Sequence, residues 1–329
     1  MDFHAIAGND VPAGLVAGEL VTPDGTRLRY GLCRQGVALR GTVCVFEGRS
    51  EFIEKYFETI EDLSGRGFAV AVLDWRGQGG STRRLANPFR GHVTNFRQYD
   101  EDLAAFMTGV VLPDCPPPYF GLAHSTGGLV VLRALTTRNW FQRVVLSSPL
   151  IDLAPMSQPR PVVRALAKAA VWCGLGRILV PGQPRRPLRQ EDFPDNRLSS
   201  DLVRFARATR TTDEAPGLGS GGPTFAWLNA AFNAIGELER QPATSLYLAR
   251  VLIVAAREDR VVSVEAIRRF AGRRPGVAAV VIDRARHELL QERDEVREQF
   301  WAAFDTFIEG ADGTLAQAAQ VARMARASS

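Results

Sequence analysis

A serine lies between a short apolar run and a helical pattern, and its neighbours are small. Residues 119–123 are apolar in the manner of a buried strand, and Gly127 and Gly128 open a helix-like pattern. Ser125 stands between the two, with Ala123 and Gly127 two positions away on either side. A serine on such a sharp turn is crowded, so only small residues fit at those positions. The stretch predicts a nucleophilic Ser125 on a strained strand-to-helix turn.

The same turn predicts a site for a developing negative charge. Because the helix begins here, the backbone N–H of Thr126 lies at a helix N-terminus, where it can bind an oxyanion. A second N–H is expected from the loop after the strand at residues 42–46. Arg49 is the candidate, since Gly48 lets the backbone approach closely and the Arg49 side chain is not needed.

A serine hydroxyl needs a base, and the chain has four histidines. His4 is in the N-terminal segment, and His124 adjoins Ser125, so its side chain should point away from the serine. His92 lies in an arginine- and glycine-containing loop and is expected to be a structural hydrogen-bonding residue. His287 follows the last predicted strand, where a loop at the carboxyl end can reach Ser125. His287 is therefore the predicted base.

An acid that orients this histidine should follow an earlier strand. Asp259 comes shortly after the strand predicted at residues 251–255 and precedes His287 by 28 positions. The resulting order of serine, acid and histidine is the one used by α/β-hydrolases. Glu258 is the next candidate, and Asp283 lies so close to His287 that a partnership would need a tight local loop. We predict Asp259 as the acid.

Strand and helix patterns alternate on both sides of Ser125, which predicts a mostly parallel sheet flanked by helices in an α/β fold. A hairpin at residues 19–21 and 27–34 is expected at the sheet edge. The remaining predicted strands are residues 42–46, 68–73, 119–123, 143–146, 251–255 and 277–282, and the helices are residues 52–63, 99–107, 264–270 and 293–307. The glycine-rich loop at 74–81 lacks the lysine of a P-loop and is predicted to be a structural turn.

The alternation breaks after residue 150, where proline and arginine become frequent and helical patches occur at 162–173, 201–208 and 225–235. We interpret this stretch as a mainly helical cap inserted into the sheet domain. The predicted organisation is an N-terminal arm at 1–16, a core at 17–150, the cap at 151–249, the rest of the core at 250–309 and a C-terminal tail at 310–329.

Composition excludes several classes of protein. The 329 residues are 46% hydrophobic and 23% charged with a formal net charge of +4, as in an ordinary globular protein. The arginines are spread along the chain and mostly matched by acids, so no nucleic-acid partner is predicted. The four cysteines lack metal or redox spacing, and we predict no metal and no cofactor. Without a signal-peptide core or a membrane-spanning run, the sequence predicts a cytoplasmic protein.

The cap carries an unusual charge bias. Residues 153–190 contain no acidic residue but seven basic ones. Apolar residues recur beside these charges at helical spacing; they are Val162, Val163, Leu166, Ala169, Ala170 and Cys173. This pattern favours peripheral contact with an anionic membrane surface. The alternative is that the apolar face packs on the core while the arginines pair with acids such as Asp213 and Glu214.

These motifs together resemble those of serine hydrolases with the α/β-hydrolase fold, in the group that joins monoacylglycerol lipases and bacterial lysophospholipases. AHSTGG is similar to the group's GHSxGG, and DWRGQGGS to its aspartate-x-arginine-glycine-x-glycine-x-serine loop. REDRVV and RHELLQE resemble the aspartate and histidine segments, and GGPTFAW resembles a cap segment of the lysophospholipase branch. The resemblance implies a triad of Ser125, Asp259 and His287. Two departures are Ala123 for the usual glycine and Glu47 for the histidine of the oxyanion loop.

The resulting hypothesis is a metal-independent carboxylic ester hydrolase that acts through an acyl-enzyme on a small lipid ester, either a lysophospholipid or a monoacylglycerol. One alternative is a small-ester esterase or an aminopeptidase of the same fold. Another is a non-catalytic lipid- or protein-binding relative that has kept the scaffold. The sequence predicts no particular oligomeric state.

Overall fold

A computed structural model describes residues 2–35, 39–242 and 249–310 of the chain. Eight strands in these residues form one sheet. They are β1 (Leu15–Val21), β2 (Arg27–Cys33), β3 (Thr42–Phe46), β4 (Ala69–Leu73), β5 (Tyr119–His124), β6 (Arg143–Ser147), β7 (Arg250–Ala256) and β8 (Val277–Ile282). The order across the sheet is β1-β2-β4-β3-β5-β6-β7-β8.

Strands β3 to β8 run parallel, while β1 and β2 form an antiparallel hairpin at one edge. The predicted α/β class with a mostly parallel sheet is therefore confirmed. The hairpin's first strand begins at Leu15, four residues earlier than the sequence predicted. The exposed Val16 and the intervening Gly18 hide the alternation that would have identified this start.

The helices connect successive strands and cover both faces of the sheet. They are α1 (Phe57–Gly65), α2 (Arg97–Phe106), α3 (Leu112–Asp114), α4 (Ser125–Ala134), α5 (Arg160–Trp172), α6 (Leu202–Glu214), α7 (Phe225–Arg240), α8 (Val264–Gly272) and α9 (Asp294–Glu309). A 3₁₀ turn at Ile53–Tyr56 precedes α1, a π-helical turn at Met107–Val111 joins α2 to α3, and 3₁₀ turns occur at Gln190–Asp192 and Leu289–Gln291.

Alternating side chains of the central strands feed two hydrophobic layers. Cys44 and Phe46 of β3 face the layer that contains α2, α4, α7 and α8. Val43 and Val45 face the opposite layer, which contains α1 and α9. Because both faces are covered, the middle residues of the parallel strands are apolar, which explains why these strands were visible in the sequence.

The N-terminal segment packs against the hydrophobic layer that contains α1. The sequence had suggested a loose arm instead. The ring of Phe3 packs edge-on against Phe57 with a centroid separation of 5.8 Å. The side chain of Asn9 donates a hydrogen bond of 3.0 Å to the carbonyl of Glu54. These contacts join residues far apart in the chain, so no local sequence pattern could predict them.

Helices α5, α6 and α7 lie between β6 and β7, in the stretch predicted to form the cap. Helix α7 shares the main core, since Trp227, Ala231 and Ile235 pack into the layer on α4. Helix α5 lies on α7 through a small separate cluster around Ala167 and Phe232. The domain boundaries at 151 and 249 stay a prediction.

The predicted C-terminal tail lies outside the described residues after Gly310. Within the part of the chain that the structure describes, every helix is too short or too polar to cross a bilayer.

Candidate active site

Ser125 occupies the turn at which β5 passes into α4. Its φ is +48°, a left-handed value that is costly for a residue with a side chain. The turn is tight because a Cβ added to Gly127 would lie only 2.5 Å from the carbonyl oxygen of Glu47. Ala123, which stands where the resembled family has glycine, is buried near the end of β5. The strained turn expected from the sequence is present.

His287 and Asp259 approach Ser125 from two loops at the carboxyl ends of the strands. Nε2 of His287 lies 3.0 Å from Oγ of Ser125. Nδ1 of the same ring lies 2.7 Å from Oδ2 of Asp259. Asp259 follows β7 and His287 follows β8, so both lie at the carboxyl end of the parallel sheet, as the sequence predicted. The three predicted residues thus form a continuous hydrogen-bonded chain.

The carboxylate of Asp259 is fixed by its own loop. Its Oδ1 accepts hydrogen bonds from the backbone N–H groups of Val261 (2.8 Å) and Val262 (2.9 Å). Burial works to raise the pKa of Asp259, but His287 and these backbone donors outweigh it and hold the pKa below its usual value. The carboxylate therefore stays ionised and oriented toward the imidazole at neutral pH.

The alternative acids and bases lie elsewhere. Glu258 is exposed, and Asp283 forms an ion pair of 2.8 Å with Arg257. His92 Nδ1 lies 3.0 Å from the hydroxyl of Thr224, in agreement with a structural hydrogen-bonding role.

His124 turns from Ser125 toward the carbonyl oxygen of Ser147, 3.0 Å from its Nδ1. Its ring packs against that of His287 with centroids 4.7 Å apart. Burial lowers the pKa of His124 to about 4, so this ring is neutral and adds no charge beside His287 at neutral pH.

The absence of a side chain at Gly48 lets the loop after β3 lie close to Ser125. A Cβ added to Gly48 would lie 3.2 Å from Cβ of Ser125. The amide of Gln78 holds this loop from behind. Its Nε2 donates to the carbonyl of Gly48 at 2.7 Å, and its Oε1 accepts from the N–H of Ser50 at 3.2 Å. The loop is thereby fixed on both sides of Arg49.

This arrangement leaves two backbone N–H groups unused. The carbonyl of Gly48 and the N–H of Arg49 belong to one trans peptide and point in opposite directions, so the N–H faces away from Gln78. Among the described residues it has no hydrogen-bond acceptor. Thr126 is the second residue of α4, and N–H groups in a first helical turn have no helical acceptor. Arg49 and Thr126 line the same cavity as Ser125.

Sequence reasoning missed the role of Gln78. The residue lies in the glycine-rich loop at 74–81, which we predicted to be a structural turn. Most of that loop does serve structure, since Asp74 accepts hydrogen bonds from the N–H groups of Ile53 (3.0 Å) and Gly80 (2.7 Å). The resemblance of the DWRGQGGS motif was the one available signal, but nothing in its spacing shows which loop the amide holds.

Glu47 stands where the resembled family has a histidine, and its carboxyl group is fully buried. Neither of its oxygens has a hydrogen-bond partner among the described residues. Burial, reinforced by the nearby Asp74 and Glu51, raises the pKa of Glu47 well above its usual value. Burial therefore favours the neutral carboxylic acid, a form that does not repel a negative charge at Ser125. Its backbone carbonyl accepts hydrogen bonds from the N–H of Gly127 at 3.1 Å and the indole of Trp75 at 2.9 Å.

Glu51, His124 and Glu288 form the group within the described residues that could offer three ligand atoms to a metal ion. However, the ammonium group of Lys55 already lies between the two carboxylates, 2.8 Å from Glu51 and 2.6 Å from Glu288. Burial works to raise the pKa of Glu51, but Lys55 outweighs it and the pKa falls to about 2. Lys55 thus supplies the positive charge that a metal ion would supply, and Glu51 anchors the N–H of Gly48 at 2.5 Å.

A cavity of about 1090 Å³ opens above Ser125 and His287, between the sheet domain and the inserted segment. Its wall is partly apolar, with Leu153, Phe205 and Leu228 among the lining side chains. This volume slightly exceeds the usual range for small-molecule pockets and can hold an acyl chain together with a polar group.

The chain is similar to known proteins in both sequence and fold. Residues 38–294 match the family model described as serine aminopeptidase, S33. Lysophospholipase L2 of Escherichia coli strain K12 is 32% identical over 266 residues, which cover 78% of this chain and 76% of that protein.

Two solved structures share the fold. A soluble variant of monoglyceride lipase from Saccharomyces cerevisiae, in complex with a substrate analog, has a TM-score of 0.71 at 19% identity, covering 94% of this chain and 99% of that one. The monoacylglycerol lipase of Paleococcus ferrophilus has a TM-score of 0.60 at 24% identity, covering 88% and 97%.

Proposed function

The chain belongs to the serine aminopeptidase S33 family of α/β-hydrolases, and we propose that it is a serine carboxylic ester hydrolase that cleaves lipid esters through an acyl-enzyme. The observation that carries the proposal is the hydrogen-bonded chain from Ser125 through His287 to Asp259 beneath a large cavity. The lysophospholipase name of the Escherichia coli relative supports a lysophospholipid as the substrate. A monoacylglycerol is the other substrate that the sequence motifs predicted.

In the proposed acylation step, Oγ of Ser125 attacks the ester carbonyl while Nε2 of His287 accepts the hydroxyl proton. The N–H groups of Thr126 and Arg49 stabilise the oxyanion of the tetrahedral intermediate. The intermediate collapses as the imidazolium returns the proton to the leaving alcohol. Water then repeats the sequence on the acyl-enzyme and releases the fatty acid. Asp259 keeps the imidazole in the tautomer that presents Nε2 to the serine.

Labelling with a fluorophosphonate tests the nucleophile. The probe should label the wild type, whereas Ser125→Ala should not be labelled and should lose ester hydrolysis. His287→Ala should lose nearly as much turnover, because triad members act as a unit. Failure of the folded wild type to react with the probe would favour a non-catalytic binding protein. Hydrolysis of aminoacyl amides in preference to lipid esters would favour the aminopeptidase alternative.

We further propose that the inserted segment rests on an anionic membrane through a surface that we call the cap patch. Large apolar side chains stand exposed on and after α5; they are Val162, Leu166, Trp172, Leu175 and Ile178. Trp172 is 88% exposed, which is unusual for its size. Arg164, Lys168 and Arg177 are exposed in the same segment, and their charges complement anionic head groups.

The exposed apolar face of α5 contains fewer of the predicted residues than the sequence suggested. Val163 and Ala167 pack against α7, while Val162 and Leu166 remain outside. Arg160 is engaged in ion pairs with Asp152 at 3.0 Å and Glu239 at 3.1 Å, so it contributes less free charge than its neighbours.

Binding to phosphatidylglycerol vesicles tests the cap patch. The wild type should bind, and binding should weaken with added salt and in the triple variant Arg164→Gln, Lys168→Gln, Arg177→Gln. A matched triple variant, Arg138→Gln, Arg268→Gln and Arg273→Gln, removes three exposed arginines elsewhere and should bind as the wild type does. If both triple variants lost vesicle binding equally, binding would depend on the net charge of the protein alone, and the proposal would be contradicted.

A further inference from the structure

Six lysine and arginine side chains line the cavity, from both the sheet domain and the inserted segment, and three of them are already neutralised. Carboxylates lie within 3.2 Å of three of them. The pairs are Lys55 with Glu51 and Glu288, Arg186 with Glu191 and Asp192, and Arg204 with Glu58, Asp201 and Asp294. Two further lining arginines, Arg197 and Arg260, are exposed to solvent. These cations have little attraction to spare for a buried ligand.

Arg49 differs from them, because it is largely withdrawn from solvent and has no carboxylate within 4.0 Å among the described residues. Its Nη1 donates to two neutral oxygens, the hydroxyl of Ser50 at 2.7 Å and the carbonyl of Gly221 at 2.9 Å. The guanidinium carbon lies 5.5 Å from the centre of the Trp227 ring. Nε and Nη2 donate to no described residue, so two donors of one planar fork remain unused.

The position of this fork relates it to the reaction. Arg49 lines the same cavity as Ser125 and follows Gly48, where an added Cβ would lie 3.2 Å from Cβ of Ser125. Burial lowers the pKa of the guanidinium, which indicates that its charge is poorly solvated, although an arginine remains protonated at any physiological pH. An uncompensated cation in a partly desolvated site attracts an anion strongly. Two parallel N–H donors match two oxygens of a phosphate group.

We propose that the side chain of Arg49 is the subsite for the phosphate of a glycerophospho head group, with Nε and Nη2 donating to two phosphate oxygens while the acyl ester lies at Ser125. The inference rests on the proposed ester hydrolase function and narrows it, because it selects lysophospholipids over neutral monoacylglycerols. In this arrangement the backbone of Arg49 serves the oxyanion and its side chain serves the head group, so one residue couples recognition to catalysis.

A ratio of specificity constants tests the proposal. A lysophosphatidic acid and a monoacylglycerol with the same acyl chain are compared as monomers, in wild type and Arg49→Gln. Both substrates present the same ester carbonyl, so any disturbance of the Arg49 N–H cancels in the ratio of their kcat/KM values. We expect Arg49→Gln to lower kcat/KM for the phosphorylated substrate roughly 10- to 100-fold more than for the neutral one. Arg49→Lys, which keeps the charge but loses the fork, should fall between the two.

The control is Arg197→Gln, which removes the same charge from an exposed position on the cavity wall and should leave the ratio as in the wild type. The proposal would be overturned if Arg49→Gln lowered kcat/KM equally for both substrates. A changed ratio of the two kcat/KM values in Arg197→Gln would also overturn it. If the wild type is not labelled by a fluorophosphonate, the proposed function itself fails. Labelling together with an unchanged ratio overturns the head-group subsite alone.

Small anions separate a head-group site from a site for free phosphate. Glycerol 3-phosphate should inhibit the wild type competitively against a soluble short-chain ester, glycerol should not, and Arg49→Gln should lose the inhibition. Inhibition by inorganic phosphate as strong as that by glycerol 3-phosphate would show that the glycerol portion is not recognised and would contradict the head-group assignment. Equal inhibition of wild type and Arg49→Gln, or inhibition of neither, would also overturn it.

Discussion

At the scale of single residues, the amide of Gln78 forms hydrogen bonds to the residues on both sides of Arg49, the proposed oxyanion donor. Its Nε2 and Oε1 bind Gly48 and Ser50, the two neighbours of Arg49. The residue is buried and does not contact the space beside Ser125 that the ester would occupy. Gln78 is therefore a positioning residue, whose effect on the reaction passes through the backbone of Arg49.

Gln78→Glu should lower kcat much more than it raises KM. The carboxylate can still accept from Ser50, but it repels the carbonyl of Gly48, so the loop loses the orientation of its oxyanion donor. Removal of such a donor typically costs about 100- to 1000-fold in kcat, and a misoriented one should cost at least roughly tenfold. Steady-state kinetics with a soluble ester measure the effect. Gln98→Glu is the control, since the Gln98 side chain acts through an accepting oxygen that a carboxylate keeps.

The buried carboxyl of Glu47 makes a prediction about pH. Its pKa in the folded protein lies well above the 4.5 of an ordinary glutamate, so the folded state keeps a proton that the unfolded chain releases. Stability is therefore lost as the pH rises above about 4.5. Glu47→Gln removes this loss and should retain turnover, and its stability relative to wild type should increase between pH 5 and pH 8. Denaturant unfolding at the two values measures this; a relative stability independent of pH would show that the carboxyl is ionised.

At the scale of elements, the turn between β5 and α4 depends on contact with the end of β3. A Cβ on Gly127 would lie 2.5 Å and 2.6 Å from the carbonyl oxygens of Glu47 and Phe46. Both obstacles are backbone atoms of a central strand and its loop, so neither can move aside as a side chain would. The proposed nucleophile and the proposed oxyanion loop are thus fitted to each other through a glycine.

Gly127→Ala should destabilise the protein by about 1–3 kcal/mol or more and abolish fluorophosphonate labelling, because α4 must shift away from β3. Thermal unfolding and labelling at a temperature where the variant is folded measure the two effects. Gly65→Ala is the matched control, since its Cβ would meet nothing within 4 Å. That change should alter stability by no more than about 1 kcal/mol. Normal labelling of a stable Gly127→Ala variant would contradict the fit.

The elements of the site were predictable because they are local. An apolar run of five residues marks β3 with the same limits as the structure, and the small residues around Ser125 mark the turn. The predicted acid and base follow β7 and β8 directly, so strand order was enough to bring them together. The amide of Gln78, the contacts of the N-terminal segment and the packing of α7 into the core depend on partners far along the chain. No periodicity records such partners, which is why they appeared only in the structure.

At the scale of the whole molecule, the inserted segment is joined to the sheet domain by a group of charges around Glu58 of α1. Arg204 and Arg207 of α6 both donate to this carboxylate, and Arg297 of α9 lies 3.3 Å from it. Arg204 also bonds to Asp294 at 2.6 Å. Three helices from distant parts of the chain thus meet at one acid, and α6, which lines the cavity through Phe205, is held in place there.

Glu58→Gln should loosen this junction. Burial works to raise the pKa of Glu58, but Arg204, Arg297 and Arg207 outweigh it and lower the pKa to about 2. A fall from 4.5 to about 2 favours the folded state above pH 4.5, and this contribution is lost as the pH falls toward 2. Because the carboxylate is partly exposed and solvent screens its ion pairs, the variant should be roughly 1–2 kcal/mol less stable than wild type at pH 7, with a gap that narrows below pH 4.5.

Urea unfolding across this pH range measures the gap, and limited proteolysis should cut the inserted segment first, because α6 has lost its anchor. Glu61→Gln, an exposed position on the same helix, should change stability by no more than about 0.5 kcal/mol at any pH. Equal stability of Glu58→Gln and wild type at pH 7 would show that the three arginines are satisfied by other groups. In that case α6 would depend on its apolar contacts, and the cavity wall would not respond to charge at this junction.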